Sequence, residues 1–263
     1  LMDMRPCSVA GMFYPAEPRH LEQLLETFFQ KRAPETNARG IVAPHAGYIY
    51  SGETGACAFS TISPDFDGTF VVIGPSHRGY MTCASAVPWE TPLGIVEVDG
   101  AFVDVLDIEI DEASHQSEHS IEVQMPFIKY RFPRARVVPI LMGDQSPEAA
   151  TDLAGQILRA TERTGRDVRV VASSDFSHYV PERIARQQDL YAIDALKNLD
   201  TSEFYRRLRE TGATVCGYGP ISTMCIACRS LGAERGELLR YTTSGDVTGD
   251  YNQVVGYAAI AVV

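Results

Sequence analysis

Two short apolar runs that each end on a proline and a histidine constrain this chain more than any other feature. Ile41-Val42-Ala43-Pro44-His45 and Phe70-Val71-Val72-Ile73-Gly74-Pro75-Ser76-His77 read as buried strands broken by Pro or Gly-Pro, each delivering an imidazole at its end. One such histidine is more simply a strand cap bonded to backbone. The same layout used twice points instead to a shared centre at one edge of a sheet, where open α/β folds place their ligands.

The rest of the chain supplies the elements such a sheet needs. Further buried strands are expected at Arg136 to Met142 and Val168 to Ala172, with two more at Leu238 to Thr242 and Val254 to Val263. Helical spacing of apolar residues marks 17–31, 147–163, 181–199 and 202–209, while small residues mark tightly packed helices at 51–61 and 221–231. A short helix is expected at 101–106, and an irregular hairpin with Pro88, Pro92 and Gly94 over 84–98. A helix beginning near Glu118 would turn Ile121, Met125 and Ile128 inward. Strands alternating with helices predict an α/β fold: one domain over residues 1–263, with a central, mainly parallel or mixed sheet and helices on both faces.

Composition excludes several function classes. A net charge of −11 without a Lys/Arg cluster argues against a nucleic-acid surface. No apolar run approaches the roughly 20 residues of a membrane span, and no basic segment precedes an apolar one at the start, so no membrane partner and a soluble, cytoplasmic protein are expected. The six cysteines, spread over 263 residues, lack the density of a disulfide scaffold. Cys225 and Cys228 lie on a helix of small and apolar residues and are expected in the core. Asp246 and Asp250 are expected in a solvated loop.

Other strand and helix ends carry polar residues too: His115, Glu118 and His119 in one loop, Asp175 and His178 after the strand ending at Ala172, and Cys216 just before a helix. His45, His77 and Cys216 together would form an N,N,S metal-ligand set with open positions, suited to iron, zinc or copper. His178 and His119 are candidate general acid/base groups, and Asp175 a carboxylate that orients a ring. Two other readings of Cys216 stand beside this one: a buried small side chain, or a nucleophile activated by a nearby histidine and the following helix.

The runs PHAGYIYSG (44–52), GPSHRGY (74–80), HQSEHSIEVQMPF (115–127), SSDFSHY (173–179) and CGYGPI (216–221), in this order, resemble the Memo family, which is similar in fold to the class III extradiol, non-haem iron dioxygenases. The resemblance implies a metal site at His45, His77 and Cys216 in a pocket lined by Asp175, His178 and His119. It implies an iron- or copper-dependent oxygenase-type protein with a small-molecule substrate, or alternatively a peptide- or protein-binding module without catalysis. It also suggests a radical SAM protein as partner. In place of the dioxygenases' third ligand, a carboxylate, this chain has Cys216.

Overall fold

Strand pleating sends alternate residues to opposite faces, and a strand apolar at every position must be covered on both. The computed structural model, which describes residues 3–79 and 81–263, shows how this is done. The chain runs α1 (Pro18–Gln30), β1 (Gly40–Ala43), α2 (Tyr48–Phe59), β2 (Thr69–Pro75), then a stretch of small elements: β3 (Cys83–Ala84), β4 (Trp89–Thr91), β5 (Gly94–Val96), α3 (Gly100–Val103), β6 (Glu109–Ile110), α4 (Glu112–Gln116), α5 (His119–Glu122) and α6 (Met125–Arg131). There follow β7 (Arg136–Met142), α7 (Pro147–Thr164), β8 (Val168–Ser173), β9 (His178–Val180) and α8 (Glu182–Leu196). The last elements are α9 (Thr201–Thr211), α10 (Tyr218–Ser230), β10 (Gly236–Thr243), α11 (Gly245–Thr248) and β11 (Val254–Val262).

The main sheet has the order β10-β11-β1-β8-β2-β7-β3-β6, with β9 on β11 and a separate β4-β5 hairpin. Its centre, β1-β8-β2-β7, is parallel. The flanks are mixed: β11 runs antiparallel to β1 and β10, and β3 antiparallel to β7. Val42, Val71, Ile73, Val170 and Ala172 pack on one face with α7, α8, α9 and α10 residues such as Ile157, Ile193, Phe204 and Met224. Ile41, Ala43, Phe70, Val72 and Val171 pack on the other with Leu25, Phe28, Phe59 and Phe127 from α1, α2 and α6. The domain is therefore an α/β layer structure with a mixed sheet covered on both faces.

Several boundaries differ from the sequence reading. The helix expected at 51–61 begins at Tyr48, immediately after the Pro-His-Ala-Gly run. The helix expected from Glu118 breaks into α5 and α6, because Pro126 opens the first turn of a new helix and offers no N–H to the old one. Ile121, Met125 and Ile128 are nonetheless all buried. Cys225 and Cys228 are buried, and all six cysteines are free of disulfides. Asp246 lies in the helical turn α11 rather than in open loop, its carboxylate accepting the Thr243 N–H, while Asp250 follows in a short turn. Among the described residues no helix is long and apolar enough to cross a membrane.

Candidate metal centre

The strand order puts β8 between β1 and β2, and the registers bring Ala43 level with Ser173 and Ile73 level with Ala172. The segments leaving these strands therefore emerge at one edge. His45 follows β1, His77 follows β2, and Ser174-Asp175 follows β8 between them. The loop before α10 returns to the same edge, where the Cys216 N–H donates to the Asp175 carbonyl at 3.3 Å and the Gly217 N–H to Ser174 Oγ at 2.8 Å.

One donor atom each from His45, His77 and Cys216 lies within 4.8 Å of the others. His45 is 1 % exposed, and its Nε2 is 3.3 Å from Cys216 Sγ. Its backbone N–H donates to Asp175 Oδ1 at 2.8 Å, and its Nδ1 is 2.9 Å from Ser173 Oγ. Burial, with His119 and His77 nearby, pulls the His45 pKa well below the ordinary imidazole value. Burial and the Asp175 carboxylate push the Cys216 thiol up. The metal-free pair is thus a neutral thiol and a neutral imidazole, which disfavours the activated-nucleophile reading of Cys216.

His77 is handled differently. Its Nδ1 stands 2.9 Å from Glu118 Oε1, and its backbone N–H donates to Glu118 Oε2 at 2.9 Å. The hydrogen bond to Glu118 raises the His77 pKa. Burial pushes the Glu118 carboxyl up, but the hydrogen bonds from His77 and from the Ser120 N–H outweigh it and hold it at about 2. An ionised carboxylate only accepts, so Nδ1 of His77 is the donor and Nε2 keeps its lone pair for a ligand role. This carboxylate–imidazole pairing typically accompanies metal-bound histidine. Glu118 is also the N-cap of α5.

The three remaining candidates share the same cleft, a hollow of about 560 Å³ with aromatic walls from Phe13, Tyr50, Tyr179 and Tyr257. His119 stacks on His77 with ring centroids 4.8 Å apart, and burial lowers its pKa. Asp175, buried, has its carboxyl raised to about 6 by desolvation. Its Oδ2 is 3.9 Å from His45 Nε2, but it orients no ring through Nδ1. The ring of His178 is held by a backbone carbonyl instead: its Nδ1 donates to Thr214 O at 2.8 Å, and its N–H to Thr214 Oγ1 at 2.8 Å. Among the described residues nothing is hydrogen-bonded to Nε2 of His178. Tyr179 next to it has φ 58° at a register shift between β9 and β11, a conformation uncommon for a bulky side chain.

His115 does not join them. It lies within α4, fully buried, edge-on to Trp89, with Nε2 donating to Cys83 O at 3.1 Å. Tyr80, the last residue of the GPSHRGY run, lies outside the described residues. A larger hollow of about 640 Å³ between β7, α7 and the 107–109 segment has no histidine or cysteine among the described residues that line it, so the concentration of donor atoms, not cavity size, identifies the site. Sequence reasoning read Glu118 only as an acidic residue at a helix start and Ser173 only as the first residue of the SSDFSHY run; it gave neither a contact with a histidine ring, and it passed over Thr214.

Residues 5–261 match the family described as Memo-like protein. A MEMO1 family protein of Methanosarcina barkeri is 46% identical over 98% of this chain and 100% of its own length. Others from Methanothermobacter thermautotrophicus and Archaeoglobus fulgidus are 42% and 44% identical, over 99% and 98% of this chain and 100% and 98% of their own lengths. With the match running through every segment that carries a candidate residue of the cleft, the chain belongs to the Memo family.

Proposed function

We propose that this protein binds one divalent or redox metal ion through His45, His77 and Cys216, and that it acts on a small oxidisable molecule held in the adjoining cleft. The observation that carries the reading is the meeting of two imidazoles and a thiol within 4.8 Å at the carboxyl ends of the sheet's parallel central strands. Two nitrogens and a sulfur suit iron, copper or zinc rather than magnesium or calcium. When bound, iron or copper would supply one-electron redox chemistry and open coordination positions.

The chain's own residues do the rest. Aromatic walls from Phe13, Tyr50 and Tyr257 would hold a planar substrate and exclude water. His119, neutral at physiological pH through burial, and His178, with nothing hydrogen-bonded to Nε2 among the described residues, stand ready to accept or return a substrate proton. Asp175, raised to about 6, would hold the His45 backbone in place and add a negative charge beside the ligand set.

A second reading, a binding module for a peptide or protein such as the radical SAM partner suggested by the resemblance, draws support from the mouth of the cleft. Met12, Ile49 and Tyr179 are 73%, 69% and 71% exposed on segments that line it. Metal analysis of purified protein separates the readings at the first step. The expected result is about one metal per chain, reduced at least tenfold in affinity in His45→Ala, His77→Ala and Cys216→Ser. Undiminished binding in all three variants would remove the site. Oxygen uptake by the iron(II)-loaded protein with a panel of small phenols and catechols then tests the oxygenase reading, which silence would turn toward the binding module.

A further inference from the structure

The hydroxyl of Ser173, at the end of β8, makes three contacts, and their donors can be assigned. Ser173 Oγ is 2.6 Å from the Ser120 carbonyl oxygen. Two oxygens so close need a proton between them, and a carbonyl has none, so the Ser173 hydroxyl donates to Ser120. Gln124 Nε2 lies 2.9 Å from the same Oγ, 3.0 Å from Pro44 O and 3.3 Å from Ala43 O. Turning the amide over would aim its oxygen at two carbonyl oxygens and at a hydroxyl whose proton is already committed. The amide nitrogen therefore faces Ser173 and donates to it. Gln124 is fully buried, as are Ser173 and Ser120, so no solvent competes for these bonds.

Only one lone pair on Ser173 Oγ remains for the third neighbour, His45 Nδ1 at 2.9 Å. We infer that Ser173 is a positioning residue for His45: it accepts the ring's Nδ1–H, and so fixes the tautomer that presents a bare Nε2 to Cys216 and the ion. Gln124 and the Ser120 carbonyl act through Ser173, one filling its other lone pair and the other taking its proton. A hydroxyl with its proton engaged elsewhere does for His45 what the Glu118 carboxylate does for His77, without placing a second anion beside a fully buried ring. The functional consequence, tighter metal binding, rests on the ligand assignment proposed above, but the tautomer itself does not.

Long-range nitrogen–proton correlation spectra of the imidazoles in metal-free protein, with zinc titration as the second readout, test the assignment. The wild-type His45 ring is expected to carry its proton on Nδ1. In Ser173→Ala the Nε2-protonated form should gain population and zinc affinity should fall about 10–100-fold, while Ser173→Thr, which keeps the oxygen, should restore both. A wild-type ring protonated on Nε2 would overturn the inference, as would a Ser173→Ala variant with unchanged ring signals and unchanged zinc affinity. The wild-type spectrum decides even where the alanine variant fails to fold. Protein that shows the Nδ1–H tautomer yet binds no zinc would sink the metal-site reading and leave the role of Ser173 standing.

Discussion

His115 and His77 stand in opposite electrostatic situations, and acid separates them. Burial pulls His115 down to about 4, and its Nδ1 has no hydrogen-bond partner among the described residues, so the fold favours the neutral ring. Between pH 6.5 and about 4 the unfolded chain binds a proton there that the native state refuses, so stability falls as pH drops through that window. The full difference amounts to about 3 kcal/mol. Urea unfolding of the wild type and His115→Phe as a function of pH checks this: the variant should show a flatter profile between pH 6.5 and 4, and parallel profiles would refute it. The contrast also shows what single residues disclose. His45 and His77 were legible as donors because each terminates an apolar run on a proline break. The partners that set their protonation were not, since Glu118 comes to His77 from 41 residues away and Ser173 to His45 from 128. Nothing local in the sequence distinguishes a serine that orients a ligand from one that ends a strand.

At the scale of elements, the junction between β8 and α10 leaves no room for a side chain at Gly217. A Cβ on Gly217 would stand 2.6 Å from the Ser173 carbonyl oxygen and 2.6 Å from Ser174 Cβ, neither of which can swing away. Gly40, at the start of β1, faces a comparable approach to Cys228 Sγ and Met224 Sδ at 2.7 Å, but those are side-chain ends that can shift. Both glycine-to-alanine variants should lose about 1–3 kcal/mol from overpacking. Only Gly217→Ala should also weaken zinc binding, because the strain is relieved by moving the loop that carries Cys216. Isothermal titration of the two variants decides it, and equal affinities would show that the loop yields elsewhere. The buried strands and the amphipathic helices here were readable from period and β-branching. The antiparallel flanks were not, because pairing direction at a sheet edge is decided by long-range packing. Nor was the early start of α2, since Tyr48 is drawn into the helix by contacts with Phe28 and Phe127 and by its hydroxyl donating to the Val123 carbonyl.

For the whole molecule, a ligand that binds only the folded chain must raise its stability. Zinc at a hundred times its dissociation constant should add about 2.7 kcal/mol, or about 5–10 °C in thermal midpoint for a chain of this length. Differential scanning fluorimetry should record that shift in the wild type and none in His45→Ala. Equal shifts in both would place the ion elsewhere. The same architecture sets a schedule for the nascent chain. β8 is inserted between β1 and β2, so the strand that brings the two histidine ends into register is made long after both. Cys216 comes 171 residues behind His45, which at ribosomal speed is a delay of roughly 9–34 s. Throughout that interval the emerging polypeptide offers isolated imidazoles and no assembled ligand set. On the proposed ligand assignment, loading with metal would be a late event, performed on a finished protein, and the ion would have to reach the folded product rather than the chain leaving the ribosome.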